Sequence, residues 1–302
     1  MSTRSQNDDD WRDWNELAAS ECIRVPGPDD DKYSRGVLGV VTGSVEYPGA
    51  AVLGVEAASR TGLGMVRYLG PDSAGDLVLR ARPETVTMAG RVQAWLVGSG
   101  MAPDARDDDT RSRLDAAFAG GEPIVIDAGA LDLVGRATGP AVLTPHAGEL
   151  VTLLKAAGTE VDRATVTADP AHWAAVAADA TGLVVLLKGR STHVCGPRDA
   201  DGRRATARVE APSSWAATAG SGDVLGGILG ALLASHAREL GGGGQPLDIG
   251  RLVSVAATAA YVHAWSAELA SGAGGPIVAF DIAQAVPRVI ARLVTGVGGP
   301  AA

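Results

Sequence analysis

Positions 219–233 of the chain read AGSGDVLGGILGALL, a glycine-rich turn that runs directly into a small and apolar segment. Glycines allow successive backbone N–H groups to point toward one ligand, and a helix behind them adds the positive end of its dipole. The stretch therefore predicts a phosphate-binding turn formed by Gly220, Ser221 and Gly222. We expect the same N–H groups and dipole to keep the neighbouring Asp223 carboxylate ionised. On these residues alone, a plain turn with Asp223 as a charge at a helix N-terminus explains the pattern equally well.

Upstream of this turn, short apolar segments alternate with helix-like or turn-rich sequence. Residues 183–187 are apolar throughout, as expected of a parallel strand that is covered on both faces. This alternation predicts an α/β fold with three layers, α/β/α, and six or seven strands in a mostly parallel central sheet. The predicted strands are 36–43, 65–69, 94–97, 123–126, 141–143 and 182–187, with a further pair within 192–209 and a helix over about 49–60.

Composition limits the possible class of protein. The chain has 302 residues, 46% of them hydrophobic, which is enough for one large domain. A formal net charge of −9 without a basic stripe argues against nucleic-acid binding. Only Cys22 and Cys195 occur, which fits a reducing compartment. No signal-like segment and no apolar run of about 20 residues is present, so we expect a cytoplasmic protein that does not engage a membrane.

The sequence also suggests domain limits. Residues 1–35 are acidic and predict a partly ordered leader, whose best docking side chains are Trp11, Trp14, Leu17 and Ile23. Residues 36–295 predict the folded domain, 296–302 a flexible tail, and the glycine run 241–244 a flexible surface connection.

Polar turns follow several of the predicted strands, at the edge where parallel sheets bind ligands. They are 42–44, 98–100, 144–149 and 188–192, and we expect them to meet Asp223 in one crevice. Each side chain also has a structural explanation: a hydrogen-bonded His146, a first-turn carboxylate at Glu149, a solvated Lys188 and a turn-capping Asp127. For Asp127 the other interpretation is a carboxylate near magnesium-bound phosphates. Neither a serine-hydrolase elbow nor a P-loop motif is present.

Taken in order, these segments resemble the nucleotide-dependent NAD(P)H-hydrate dehydratases, repair enzymes with a ribokinase-like fold. The most specific segment is Thr-Pro-His-Ala-Gly-Glu at 144–149, because other ribokinase-like branches share the Gly-x-Gly-Asp turn but usually not this one. The resemblance covers about residues 36–294, through the segments 43–50, 60–64, 98–100, 126–131, 143–149, 187–192 and 219–225.

The resemblance implies ADP-dependent dehydration of (S)-NAD(P)H hydrate to NAD(P)H, giving AMP and phosphate, with Asp223 as the catalytic residue. It implies that the hydrated nucleotide, NADHX or NADPHX, contacts Ala50, Gly100, His146 and Asp223. It further implies that ADP contacts Gly222 and the segment Lys188, Gly189, Arg190, Ser191 and Thr192.

The resemblance also implies Mg²⁺ on the phosphates, although no set of protein ligands for the metal is readable. Members of the family are often homotetramers. No epimerase-like sequence precedes Gly36, so we expect dehydration only, ADP rather than ATP, and a separate epimerase as functional partner.

Four positions depart from the pattern of the family: Ser99 and Ala147 replace proline, Gly129 replaces a second aspartate, and Ser221 replaces threonine. The missing carboxylate at Gly129 puts a magnesium-binding role of that strand end in doubt. Two other functions fit the same motifs. One is an ATP-dependent kinase for a sugar or pyrimidine alcohol, and the other is a nucleotide-binding regulator on an inactive scaffold.

Overall fold

Eight strands form a single sheet in the computed structural model, which describes residues 10–241 and 247–296. The strands lie in the order β2-β1-β3-β4-β5-β6-β7-β8. The first six are parallel, and β7 and β8 are antiparallel to their neighbours. The strands are β1 (Val37–Val41), β2 (Met65–Tyr68), β3 (Ala94–Val97), β4 (Ile124–Ile126), β5 (Ala141–Leu143), β6 (Val184–Leu187), β7 (Ser191–Cys195) and β8 (Thr206–Glu210).

The predicted fold class is confirmed, whereas the predicted strand number of six or seven is too low. Both members of the pair predicted within 192–209 join the sheet, which extends it to eight strands. The helices are α1 (Glu16–Ser20), α2 (Pro48–Arg60), α3 (Asp72–Ala81), α4 (Asp108–Ala119), α5 (Ala147–Ala156), α6 (Arg163–Ala168), α7 (Pro170–Thr181), α8 (Ser221–His236), α9 (Ile249–Ser271) and α10 (Ala279–Thr295).

The two faces of the sheet are buried in two separate cores, because successive strand residues point to opposite sides. Leu38 and Val40 pack in the core formed with α2, α8, α9 and α10. Val37 and Val41 pack in the core formed with α4, α5 and α7. The result is three layers with helices on both sides.

Helix α8 crosses the middle of the sheet and is buried along nearly its whole length. Its glycines allow this close approach: a Cβ on Gly227 would lie 2.2 Å from the carbonyl oxygen of Gly54 in α2, and one on Gly230 would lie 3.0 Å from Leu38. This packing places the N-terminus of α8 at the edge where the parallel strands end.

Residues 10–35 pack against the sheet and α9. The Trp14 indole donates to Thr258 Oγ1 at 3.2 Å, and Trp11 packs edge-on against His193. Leu17 is 71% exposed, so its predicted docking is wrong, whereas Ile23 is partly buried. The domain limits at 36 and 295 stay predictions, and residues 1–9, 297–302 and most of the glycine run, 242–244, lie outside the described residues. Across the described ranges, none of the helices combines the length and hydrophobicity needed to span a bilayer.

Candidate active site

A buried carboxylate, Asp127, connects the ends of four neighbouring strands. It follows β4 and is 3% exposed. Its Oδ2 accepts from Ser99 Oγ at 2.8 Å, and its Oδ1 accepts from Thr144 Oγ1 at 2.7 Å and from Lys188 Nζ at 2.9 Å. Asp127 is therefore more than a turn cap, because it holds together the turns after β3, β5 and β6.

Lys188 lies among carboxylates rather than in solvent. Its ammonium is 3.6 Å from Glu149 Oε2, and its side chain is 20% exposed. Burial alone would lower the pKa of Lys188, but attraction to Asp127 and Glu149 outweighs burial, and the pKa is raised. A Cβ on Gly222 would lie 3.5 Å from Lys188 Nζ, so the ammonium lies beside the glycine-rich turn. The interpretation of Lys188 as a solvated lysine is wrong.

Asp223 is the third residue of α8 and has an unusual environment for a carboxylate. Burial and, to a smaller extent, the charge of Asp127 raise its pKa, Lys188 partly opposes both, and the pKa of Asp223 is about 6. The helix N-terminus does not hold the pKa of Asp223 at its ordinary value of 3.8, because desolvation outweighs the favourable dipole, but a group with a pKa of about 6 is still mostly ionised at pH 7, as expected from the sequence. A carboxyl group with a pKa near neutrality is a better proton acceptor than an exposed aspartate.

The turn before α8 leaves the first helical turn without a side-chain cap. Gly220 is the N-cap residue, with φ of +84°, and supplies no side-chain hydrogen bond. A Cβ there would lie 2.4 Å from Leu53 Cδ1, so only glycine fits. The Ser221 N–H donates to the Thr218 carbonyl oxygen at 3.3 Å. A helix N-terminus without a side-chain cap favours a bound anion, as the sequence predicts for this turn.

A cavity of about 730 Å³ extends from this turn along the sheet. Its polar wall includes His146, Lys188, Gly189, Arg190, Thr192, Ser221 and Gly222, and its apolar wall includes Val209, Ala211, Leu225, Ala260 and Ala264. The volume and the polar-to-apolar gradient suit a nucleotide, with phosphates at the turn and the base among small apolar side chains. Ser191 is not part of the wall, since its hydroxyl donates to Glu210 Oε1 at 2.7 Å on the neighbouring strand.

His146 caps α5 while it lines the cavity. Its Nδ1 accepts from the backbone N–H groups of Gly148 and Glu149 at 3.0 and 3.1 Å. In return, the Glu149 carboxylate accepts from the backbone N–H of His146. The structural explanations for His146 and Glu149 are thus confirmed. The side chain of His146 is 59% exposed, and its Nε2 is 3.5 Å from Glu149 Oε1.

Ala50, in the first turn of α2, meets Gly100, which follows β3. Gly100 has φ of +68°, and a Cβ on it would lie 2.5 Å from Ala50 Cβ and 2.9 Å from the carbonyl oxygen of Tyr47. Behind them, a Cβ on Gly54 would lie 3.6 Å from the Asp223 carbonyl oxygen. Two of the predicted substrate contacts, Ala50 and Gly100, therefore lie together near the start of α8. A third, His146, lies apart from them, in the wall of the cavity.

Gly100→Ala is expected to weaken binding of the hydrated nucleotide and to lower the free energy of unfolding by about 1–3 kcal/mol, because it adds a methyl group at positive φ against Ala50. Chemical denaturation and substrate KM measure the two effects. Gly121→Ala is the matched control, since it also has positive φ, of +76°, but no atom within 4 Å of an added Cβ. Equal losses in both variants would show that backbone strain, not contact with Ala50, is responsible.

The backbone leaves no space for a side chain at Gly129, where the sequence comparison above expected a second aspartate. A Cβ there would lie 2.1 Å from the carbonyl oxygen of Met101, so no side chain fits. Arg106 donates to the Gly129 carbonyl and pairs with Asp132. Among the described residues no group of three or more His, Cys, Asp or Glu is arranged to hold a metal. Both oxygens of Asp127 already accept hydrogen bonds.

His263 is a site residue that sequence reasoning missed. It lies on α9, and its Nε2 is 2.9 Å from Ser221 Oγ. Burial lowers its pKa to about 4, so the ring is neutral near pH 7. A single histidine inside a long apolar helix carries no sequence signal of function, and only the fold places it next to a residue 42 positions away.

A glycine-rich helix start beside a carboxylate lies at the strand ends of this sheet, and the fold is that of the ribokinase-like class of α/β proteins. Solved structures agree on the fold. A Bacillus subtilis NAD(P)H-hydrate dehydratase superposes with a TM-score of 0.76 at 23% identity, covering 94% of this chain and 99% of its own. An Enterococcus faecalis ribokinase-like protein superposes with a TM-score of 0.74 at 20% identity, covering 98% and 100%.

The family model for NAD(P)H-hydrate dehydratase matches residues 38–288, and the chain belongs to that family. A bifunctional NAD(P)H-hydrate repair enzyme of Corynebacterium glutamicum is 37% identical over 89% of this chain, which spans 49% of that relative. The chain thus covers about half the length of such bifunctional relatives. An ADP-dependent (S)-NAD(P)H-hydrate dehydratase of Xanthomonas campestris is 32% identical, and the alignment covers 92% of this chain and 96% of that relative.

Proposed function

We propose that this chain dehydrates (S)-NAD(P)H hydrate to NAD(P)H, using ADP as phosphoryl donor and releasing AMP and phosphate. The observation that carries the proposal is Asp223, a carboxyl group with a pKa of about 6 beside an uncapped helix N-terminus that opens into a nucleotide-sized cavity. The relative from Xanthomonas campestris is named for this ADP-dependent reaction.

In the proposed complex, the base of ADP lies among the apolar residues of the cavity, and its phosphates reach Gly220, Ser221 and Gly222. The Lys188 ammonium, held by Asp127 beside Gly222, neutralises part of the phosphate charge. Ala50 and Gly100 then contact the hydrated ring, close to Asp223. This arrangement brings the ring hydroxyl next to the terminal phosphate of ADP, with the Asp223 carboxylate beside the hydroxyl.

In the proposed reaction, Asp223 accepts the proton of the ring hydroxyl while its oxygen forms a bond to the terminal phosphorus of ADP. The bond from that phosphorus to the AMP oxygen breaks, and AMP leaves. The C–O bond of the phosphorylated ring then breaks, and loss of phosphate and of a proton from the adjacent ring carbon restores the double bond. Phosphoryl transfer depends mainly on positioning and charge neutralisation, so the turn and Lys188 contribute as much as the basicity of Asp223.

The proposal includes Mg²⁺ bound to the nucleotide, because its positive charge offsets the negative charge of the phosphate oxygens. A related Bacillus subtilis dehydratase was co-crystallised with ATP and Mg²⁺. We also propose a cytoplasmic homotetramer, as implied by the resemblance to the family. We further propose that it works with an epimerase, and the name of the Corynebacterium glutamicum relative, a bifunctional repair enzyme, is consistent with a second activity in the same repair.

The pH dependence of turnover follows from Asp223. The base acts only when it is deprotonated, so kcat/KM is expected to fall as pH drops through about 6, approaching tenfold per pH unit below that value. Initial rates between pH 4.5 and 8.5 measure this limb, with circular dichroism as a check that the protein stays folded. A rate that is constant down to pH 4.5 would contradict the role of Asp223 as base.

One assay tests the function. The protein is incubated with hydrated NADH, Mg²⁺ and either ADP or ATP, and recovery of the dihydronicotinamide absorbance is followed together with release of AMP and phosphate. Recovery with ADP supports the proposal. A stable phosphorylated product with ATP would instead identify a small-molecule kinase, and ADP binding without turnover would identify a nucleotide-binding regulator.

A further inference from the structure

The phosphate-binding turn contains one hydroxyl group, and that group already has a protein partner. Ser221 is the first residue of α8, is 7% exposed and lies 2.9 Å from His263 Nε2. The turn and the ring both line the cavity. Any phosphate oxygen that reaches the turn therefore meets a Ser221 hydroxyl whose hydrogen-bonding direction depends on His263.

Helix α9 presents His263 to the cavity together with two small residues. Ala260, His263 and Ala264 are spaced three and four residues apart, so they lie on one face of the helix, and all three line the cavity. The small alanines leave room for a ligand, and the imidazole is the polar group on this face. His263 and Ser221 therefore line the same cavity, where His263 can influence how Ser221 contacts a ligand.

The charge state of His263 limits what the pair can do. Because the ring is neutral near pH 7, one of its nitrogens carries a proton and the other accepts. If Nε2 accepts from Ser221, the serine presents only lone pairs to a phosphate, which repels them. If Nε2 carries the proton and donates to Ser221 Oγ, the hydroxyl proton is free to point into the cavity. Only the second arrangement favours an anionic ligand.

We propose that His263 is a positioning residue that turns the Ser221 hydroxyl into a donor for the terminal phosphate of a nucleoside diphosphate. Its Nε2–H donates to Ser221 Oγ, and the Ser221 O–H donates to a phosphate oxygen. This inference rests on the proposed nucleotide site, but it does not depend on dehydration of the second substrate.

The experiment measures the Kd of ADP and of AMP by titration calorimetry for the wild type, Ser221→Ala, His263→Ala, His263→Gln and the double variant Ser221→Ala/His263→Ala. Each alanine variant is expected to bind ADP about tenfold more weakly, the loss of one hydrogen bond to a charged group. The double variant is expected to bind no more weakly than Ser221→Ala alone, because His263 acts through Ser221. The affinity for AMP, which lacks the terminal phosphate, is expected to fall less than about threefold in the same variants.

His263→Gln is the conservative variant, because the glutamine amide places an N–H donor close to the position of Nε2. It is expected to bind ADP within about threefold of the wild type. Additive losses in the double variant, equal losses for AMP, or a glutamine variant as weak as alanine would each overturn the proposal, and thermal melting without nucleotide separates these results from misfolding. Normal ADP binding without dehydration would refute the proposed function alone, and absence of ADP binding by the wild type would refute both.

Discussion

Asp223→Asn is expected to lower turnover by about 10² to 10⁴-fold, the usual contribution of a general base. Asparagine keeps the size and polarity of the side chain but cannot accept the proton of the ring hydroxyl. ADP affinity is expected to change little, because the backbone N–H groups and Lys188 remain in place. Steady-state rates and calorimetric ADP titration measure the two effects separately.

The same substitution is expected to stabilise the folded protein near pH 7. The folded pKa of Asp223, about 6, lies above its ordinary value of 3.8, so the ionised form is disfavoured in the fold. This penalty is absent below the ordinary pKa, grows as pH rises through the window up to about 6, and stays constant above it. Removing the charge therefore adds roughly 1–3 kcal/mol to the free energy of unfolding at pH 7 and almost nothing at pH 3.5.

Urea denaturation at pH 7 and pH 3.5 measures this gain in stability, which is opposite in sign to the loss of turnover. Asp108→Asn is the matched control, because that carboxylate is in the first turn of α4 and fully exposed. It is expected to alter neither turnover nor stability by a measurable amount. Wild-type turnover in Asp223→Asn, or a loss of stability that matches its loss of activity, would refute the assignment.

Lys188→Met is expected to lower the free energy of unfolding by about 3–5 kcal/mol at neutral pH, because it leaves the Asp127 carboxylate buried without its cation. Asp127 still accepts from Ser99 and Thr144, but two hydroxyl groups do not replace an ammonium at 2.9 Å. The loss should shrink at low pH, where Asp127 in the variant takes up a proton. Chemical denaturation at pH 7 and pH 4 measures both parts.

Adding Asp127→Asn to Lys188→Met is expected to recover a large part of the lost stability, because both charges are then removed together. Turnover is not expected to recover, since the ammonium beside Gly222 remains absent. Lys155→Met is the control, because Lys155 is an exposed lysine in the last turn of α5. If the two substitutions destabilised additively, Asp127 and Lys188 would not act as a pair.

The sequence predicts the parts of the site that depend on local pattern. Apolar segments that end in polar glycine turns indicate where strands stop, so the approach of the Lys188 turn to the turn at Gly222 is expected from parallel pairing, whereas the contact between Asp127 and Lys188 is not. The pKa of Asp223 does not follow, because it depends on burial by residues distant in the chain. The contact between His263 and Ser221 also escapes prediction, since no spacing rule connects α8 to α9.

Local geometry also explains the remaining differences. From the sequence, Gly129 is interpreted as the position of a missing carboxylate. The fold leaves no space for any side chain at this position, because the Met101 carbonyl oxygen occupies it. Leu17 is apolar and adjacent to buried residues, but it lies on the solvent side of a short helix whose buried residues are Ala18 and Ala19. Hydrophobicity alone does not determine the buried face of so short a helix.

The packing of Gly227 onto the Gly54 carbonyl determines how this protein can evolve. One helical turn before each glycine lie Asp223 and Ala50, so the distance between the proposed proton acceptor and the proposed substrate contact is set by main chain against main chain. This contact between two backbones has no side-chain rotamers to adjust. In the proposed complex it would keep Asp223 and the bound substrate aligned without an entropic cost at each catalytic cycle. New substrate preferences should therefore arise through the side chains that line the cavity, while this pair of helices stays unchanged.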